Sequence, residues 1–209
     1  MKNHLSCRQT NTKEFAFDLD GTVTKVETLP LLAEELDLTE EMKLLTDLTL
    51  SGQIPFERSF RLRYLVLRNI PLIKIQAIMD AVELDEEIAA FIRENKENCA
   101  VVTGNLDCWI EPISAKLGCK FFSSASEPDE KNFPVLKKIL DKSAAIRELK
   151  KFSDKVIAVG ESFNDVPMFE EANISVAYGG VHKPVSAAIS VSDYVVFDGG
   201  ALCRLLKML

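Results

Sequence analysis

Phe15-Ala16-Phe17-Asp18-Leu19-Asp20-Gly21-Thr22-Val23-Thr24 is the stretch on which the fold turns. An apolar run ends abruptly in two carboxylates, a glycine and a hydroxyl. Read as a buried strand, Phe15 to Phe17 lies in a sheet core and delivers Asp18 at its carboxyl end. Residues i and i+2 of extended backbone point to the same side, so Asp18 and Asp20 face one another across a small site. Gly21 then lets the chain turn, because glycine tolerates positive φ. Open α/β sheets bind ligands beyond the carboxyl ends of their strands. Two acids there suit a divalent cation, with one of them attacking a phosphoryl group. The same residues also read as a plain turn, since Asp, Gly and Thr are all turn formers. The rest of the chain has to decide.

Working outward, further apolar runs at 99–102, 120–122, 156–159, 174–177 and 193–196 read as buried strands after the first at 14–19. Segments of helical period alternate with them, which predicts a mostly parallel, three-layer, doubly wound α/β sheet. Between the first two strands the pattern is helical throughout. Leu29, Leu32, Ala33 and Leu36 recur at helical steps; Thr39 is placed to cap the next helix; Pro55 and Pro71 stand where a first helical turn tolerates proline. This predicts a small helical cap over 37–84, inserted into a core made of 14–36 and 85–209, behind a loose tail at 1–13. Residues 123–134 read as a loop or a ragged hairpin, and 135–140 fit helix and strand equally.

The chain of 209 residues is 47% hydrophobic, ample for a core, and carries a net charge of −7. No basic cluster exists to grip a phosphate backbone, so nucleic acid is not an expected partner. A negative surface repels anionic substrates at long range, so any phosphate site must be locally positive. The five cysteines (Cys7, Cys99, Cys108, Cys119, Cys203) are scattered without CxxC spacing, which argues against zinc or a disulfide framework and fits a reducing compartment. Residues 1–13 lack the apolar stretch of a signal peptide, and no run approaches a membrane span. A cytoplasmic protein, monomer or homodimer, is expected.

Three strand ends and one helix start carry unlike chemistry that suits one reaction. The first holds Asp18 and Asp20, the second Thr103-Gly104-Asn105, and the fourth Glu161, Asn164 and Asp165; Lys142 opens an intervening helix. In a parallel sheet these ends converge. The acids suit Mg²⁺, which prefers oxygen ligands. Together with Lys142, such a cation offsets phosphate charge so that a carboxylate can approach. Thr103 and backbone N–H groups can donate to phosphoryl oxygens.

The chain resembles the haloacid dehalogenase superfamily of aspartate-dependent phosphatases. The resemblance rests on Asp18-Leu19-Asp20-Gly21-Thr22, Thr103-Gly104-Asn105, Lys142 and Gly160-Glu161-Ser162-Phe163-Asn164-Asp165, in that order. Each alone is weak; the set is specific, and it spans most of the chain. Within the superfamily it is most similar to the phosphoserine phosphatases. Glu27, in Val26-Glu27-Thr28-Leu29, matches the acid that holds the substrate ammonium there. Arg63, closing Phe56-Glu57-Arg58-Ser59-Phe60-Arg61-Leu62-Arg63, matches the arginine that holds the substrate carboxylate.

The resemblance implies an enzyme acting on a small phosphorylated metabolite. Asp18 becomes esterified to phosphorus, and Asp20 serves as general acid and then base. Mg²⁺ is held by Asp18, the Asp20 backbone carbonyl and Glu161, with Asp165 a direct or water-mediated ligand. Thr103, Gly104, Lys142 and Asn164 steady the phosphoryl group, and the cap shuts out water. Two departures stand out. The phosphoserine phosphatases usually carry Asp at the position of Glu161, and 123–140 looks short for their second insertion. That leaves Lys137 and Lys138 near enough to compete with Lys142. Other phosphomonoesters, or a binding module that kept the fold, are the competing functional readings.

Overall fold

The computed structural model describes residues 12–130 and 133–209; the expected tail falls almost wholly outside them, with Cys7. Its sheet runs β4-β3-β2-β1-β5-β6-β7. The strands are β1 (Lys13–Phe17), β2 (Cys99–Leu106), β3 (Lys120–Pro128), β4 (Pro134–Lys138), β5 (Lys155–Gly160), β6 (Ile174–Tyr178) and β7 (Tyr194–Val196). Only β3 and β4 pair antiparallel. Between β1 and β2 come α1 (Thr28–Ala33), α2 (Thr39–Leu50), α3 (Phe56–Leu67), α4 (Leu72–Ala81) and α5 (Glu86–Glu94). Later come α6 (Asp107–Leu117), α7 (Lys142–Leu149), α8 (Val166–Glu171), α9 (Ser186–Val191) and α10 (Gly199–Met208). This is the mostly parallel, doubly wound architecture that the alternation of patterns predicts.

Each central strand is apolar on both faces, as a covered parallel strand must be. Phe15 and Phe17 point to the side of α5, α6 and α10, where both rings meet Phe91 edge-on at 5.2 and 6.1 Å. Ala16 points the other way, in register with Ala100 and Ala158. These small side chains make a shallow strip on which Ile146 and Leu149 of α7 and Met168 and Phe169 of α8 pack. The chain builds the sheet outward from β1 in one direction, then returns to β5 and builds in the other. The reversal leaves a crevice beyond the carboxyl end of β1, the usual ligand position in such sheets.

The hairpin alternative for 123–134 is the observed one. β3 continues to Pro128 and β4 returns beside it, joined through Ser126–Leu136 and Glu127–Val135. The second strand likewise outruns its expected end, from 102 to Leu106. Thr39 does not cap α2: it is the first helical residue, after Leu38. Pro55 and Pro71 each stand one residue before their helices, as N-caps.

The chain leaves and rejoins the core through adjacent segments. Thr24 bridges Leu84 antiparallel, the Lys25 N–H donates to the Glu83 carbonyl at 3.0 Å, and the Asp85 N–H donates to the Val23 carbonyl at 2.8 Å. Helix α1 lies beyond this stem and packs on α2, α3 and α4. The boundary expected at residue 37 therefore falls inside a packed helical unit.

Candidate active site

Asp18 continues β1, its N–H donating to the Val159 carbonyl at 2.9 Å, and its side chain is buried. The next residues form one wide turn, closed by the Thr24 N–H on the Leu19 carbonyl at 2.9 Å. Gly21 sits in it at φ +75°, and a Cβ there would lie 2.3 Å from Glu161 Oε1. The position thus needs glycine both for its backbone angle and for the close approach of an acid. Asp20 is half-buried. Its Oδ1 accepts the Thr28 N–H at 3.0 Å and the Thr28 hydroxyl, and its Oδ2 faces Asn105 Nδ2 at 3.5 Å. Asn105 Nδ2 also donates to Thr28 Oγ1 at 2.8 Å. Because Thr28 opens α1, the Asp20 carboxylate sits at a helix N-terminus.

Thr103, Gly104 and Asn105 lie within β2, all buried. The Thr103 hydroxyl accepts the Asn105 N–H at 3.1 Å. Gly104 meets the cap: a Cβ on it would fall 2.0 Å from the Phe56 ring. Lys142, first residue of α7, is 4% exposed, and its Nζ lies 2.5 Å from Asp18 Oδ1 and 2.6 Å from Asp165 Oδ1. Burial works against its charge, but Asp165 and Asp18 outweigh it and raise the ammonium pKa. Lys137 and Lys138 are exposed on β4, with Lys137 paired to Glu127.

Asp165 is fully buried. Its Oδ2 accepts the Glu161 and Ser162 N–H groups at 2.9 and 2.8 Å and the Ser162 hydroxyl at 2.9 Å. With that oxygen saturated and the other facing Lys142, Asp165 has little capacity left for a metal. It anchors the lysine and the 161–165 loop. Glu161 differs: it is 2% exposed, and neither carboxylate oxygen has a donor among the described residues. Burial, then the charges of Glu27, Asp18 and Asp165, push its carboxyl up to about 10. Burial and Asp165 likewise raise Asp18, with Lys142 opposing.

A narrow, partly open cavity of about 50 Å³ is lined by Asp18, Asp20, Glu27, Arg63, Lys142 and Asn164 among others. The structure thus brings those expected site residues to one place, with Gly104 also on the wall; Thr103, Glu161 and Asp165 are buried and do not line it. Arg63 is 4% exposed. It donates to Thr46 Oγ1 at 3.3 Å, its guanidinium lies 5.9 Å from the Phe56 ring centroid, and Nε has no partner among the described residues. Burial lowers its pKa, with Glu27 and Asp20 pulling the other way. Burial raises Glu27, eased by His182, whose Nε2 lies 3.5 Å from Glu27 Oε1.

The acids Asp18, Asp20, Glu27, Glu161 and Asp165 crowd around Lys142 and Arg63, leaving negative charge in excess. An unpartnered buried carboxylate on Glu161 beside Asp18, with oxygen donors throughout, is the chemistry a hard divalent cation needs. Sequence reasoning did not single out Thr28, Ser162 or His182, nor Asn105 as the amide holding Asp20. Asn105 stood inside a recognised motif. Nothing local marked His182, which reaches Glu27 only through the fold.

A buried aspartate at the reversal point of a parallel sheet, faced by a lysine and roofed by an inserted helical cap, defines a hydrolase scaffold suited to phosphoryl groups. Residues 15–170 match the haloacid dehalogenase-like hydrolase family, and the chain belongs to it, with the enzyme class of its phosphatases. The chain is 29% identical over 181 residues to the phosphoserine phosphatase of Methanocaldococcus jannaschii, covering 79% of this chain and 85% of the relative. It is 26% identical over 175 residues to that of Archaeoglobus fulgidus, covering 78% of this chain but 51% of the relative. A solved substrate-bound phosphoserine phosphatase complex superposes with a TM-score of 0.79 at 25% identity, over 95% of this chain and 98% of the other.

Proposed function

We propose that this chain is a Mg²⁺-dependent phosphomonoesterase that acts on a small amino-acid phosphate, phosphoserine first, through an ester on Asp18. The observation that carries the substrate class is the pair of opposite charges in the cavity. Arg63 is buried with an unused N–H, and Glu27 lines the same space. A free amino acid offers one carboxylate and one ammonium, the groups these two side chains lack.

In the first half-reaction, an Asp18 carboxylate oxygen forms a bond to phosphorus while the bond to the serine oxygen breaks. Asp20 gives its proton to the departing oxygen. In the second, Asp20 takes a proton from water as that water's oxygen bonds to phosphorus, releasing the Asp18 carboxylate and inorganic phosphate. Thr28 and Asn105 hold Asp20 aimed at the leaving oxygen for both transfers. Lys142 offsets the charge that builds on the phosphoryl oxygens, and Asp165 keeps the ammonium in place. Asp18, the Asp20 carbonyl and Glu161 would hold Mg²⁺, which when bound neutralises phosphate charge. Asn164 and the Gly104 backbone complete the phosphoryl pocket.

Phosphate release across a panel of monoesters tests this, with Asp18→Asn as the control. Phosphoserine should turn over only with added Mg²⁺, and Asp18→Asn should be inactive. Equal turnover of esters with neither carboxylate nor amine would refute the substrate class. An active Asp18→Asn enzyme would refute the covalent route.

A further inference from the structure

His182, one of two histidines in the chain, has no part in the reaction above. It lies between β6 and α9, in a loop pinned at both ends. The Gly179 N–H donates to the Val196 carbonyl at 2.8 Å, and the Val185 N–H donates to the Glu161 carbonyl at 3.0 Å. Gly179 packs so tightly that a Cβ would fall 2.4 Å from the Phe197 ring. The ends of the loop that carries the imidazole are therefore fixed.

Glu27 stands between two spaces. Inward it lines the narrow site cavity with Asp20 and Arg63. Outward it lines a groove of about 400 Å³ whose wall includes Val181, His182 and Lys43. The imidazole reaches the carboxylate from the groove side, with Nε2 3.5 Å from Oε1. That oxygen is buried and accepts no other hydrogen bond among the described residues, which leaves the imidazole as its partner. Glu161 has a carboxylate oxygen within 4.8 Å of both groups, and Asp20 acts on Glu27 as a like charge. A buried acid beside another acid is held in place by a cationic or donating partner on its outer side.

We infer that His182 is a positioning residue that sets specificity: it holds Glu27 at the cavity wall, where the carboxylate reads a cationic leaving group. This rests on the amino-acid-phosphate reading above. An ammonium on the leaving group then meets a fixed carboxylate instead of one that must first be drawn back from the groove. Preorganisation of this kind strengthens binding of the amine-bearing substrate and leaves the phosphoryl chemistry to other residues.

The test compares phosphoserine with 3-phosphonooxypropanoate, which keeps the carboxylate and phosphate but lacks the amine. In His182→Ala, KM for phosphoserine should rise about five- to tenfold, while kcat and both constants for the amine-free ester move less than about twofold. His182→Gln, whose amide can still donate to Glu27, should recover most of the loss. Glu27→Gln should abolish the preference for the amine, and adding His182→Ala to it should cost nothing further, as expected for residues acting as a unit. Equal losses on both esters, or no change on either, would overturn the inference. So would loss of Mg²⁺ binding in His182→Ala by calorimetric titration, which would make the imidazole a metal ligand. A wild-type enzyme that ignores the amine would instead refute the substrate reading itself, a distinct outcome.

Discussion

Replacing Arg63 by methionine separates what the guanidinium costs the fold from what it gives the reaction. Arg63 is 4% exposed, with one hydrogen bond to a neutral hydroxyl at 3.3 Å and Nε unpartnered among the described residues. Burial already depresses its pKa. A buried charge so poorly compensated is a burden on the empty protein, and isosteric apolar replacement of such groups is often neutral or stabilising by about 1–4 kcal/mol. Glu27 and Asp20 attract it, so the lower part of that range applies. About 1 kcal/mol corresponds to a rise of roughly 2–4 °C in Tm for a domain of this size. Activity should move the other way. A charge-assisted hydrogen bond to a buried carboxylate is worth about 1.5–3 kcal/mol. Its loss lowers kcat/KM for phosphoserine about 10- to 100-fold. Phosphoethanolamine, which has the amine but no carboxylate, should keep its rate within about twofold. Thermal unfolding of the substrate-free protein and steady-state kinetics on both esters read the two effects. A variant that melts lower and slows equally on both esters would show Arg63 to be a packing residue, and the reasoning would fail.

Lys142→Met should abolish turnover and destabilise the protein by about 3–5 kcal/mol at neutral pH, because it leaves Asp18 and Asp165 facing one another unpaired. The loss should shrink in acid as Asp18 takes a proton, which urea unfolding at pH 5 and pH 8 would show; equal losses would contradict it. Glu161, pushed up to about 10 from an ordinary 4.5, keeps its proton in the folded, metal-free protein. The stability this group adds is therefore full below pH 4.5 and is lost as pH climbs toward 10, at up to about 1.4 kcal/mol per pH unit. Mg²⁺ must displace that proton, so calorimetry at pH 7 in buffers of differing ionisation enthalpy should detect proton release on binding. A heat independent of buffer would refute it. Gly21→Ala meets both a left-handed backbone angle and the Glu161 carboxylate, and should lower the Tm and weaken Mg²⁺ binding together; a change in neither would remove the steric reading of that turn.

The central strands were legible because their apolar runs are covered on both faces, and the site was legible because its acids stand where those runs stop. The sheet edge was harder to read. Residues beyond 122 are polar and half-exposed, since β3 and β4 need hydrogen-bonding partners there more than they need a core, so periodicity marked no strand. Lys142 was legible as the lysine of the motif set, with Lys137 and Lys138 as competitors, and the fold seals it between Asp18 and Asp165 while leaving those two exposed. Asn105 reaches Asp20 across 85 residues, and no local spacing encodes such a contact; Thr28 holds it from eight residues on, where the chain enters a helix. Asp165 shows the opposite limit. Its place in a motif suggested a metal ligand, yet its hydrogen bonds to Ser162, Glu161 and Lys142 occupy it otherwise.

Phe56 resting on Gly104 has a kinetic consequence. The space behind that ring is narrow, about 50 Å³, and opens partly to solvent, so seating the proposed amino-acid phosphate would require the ring to move. On the proposed reaction, each cycle would include one ring movement to admit the ester and another to let phosphate and alcohol out. Phe56 also stacks on Phe60 at 5.5 Å, so the doorway hangs on one small aromatic pair, and the time it stays parted would set a ceiling on the proposed turnover.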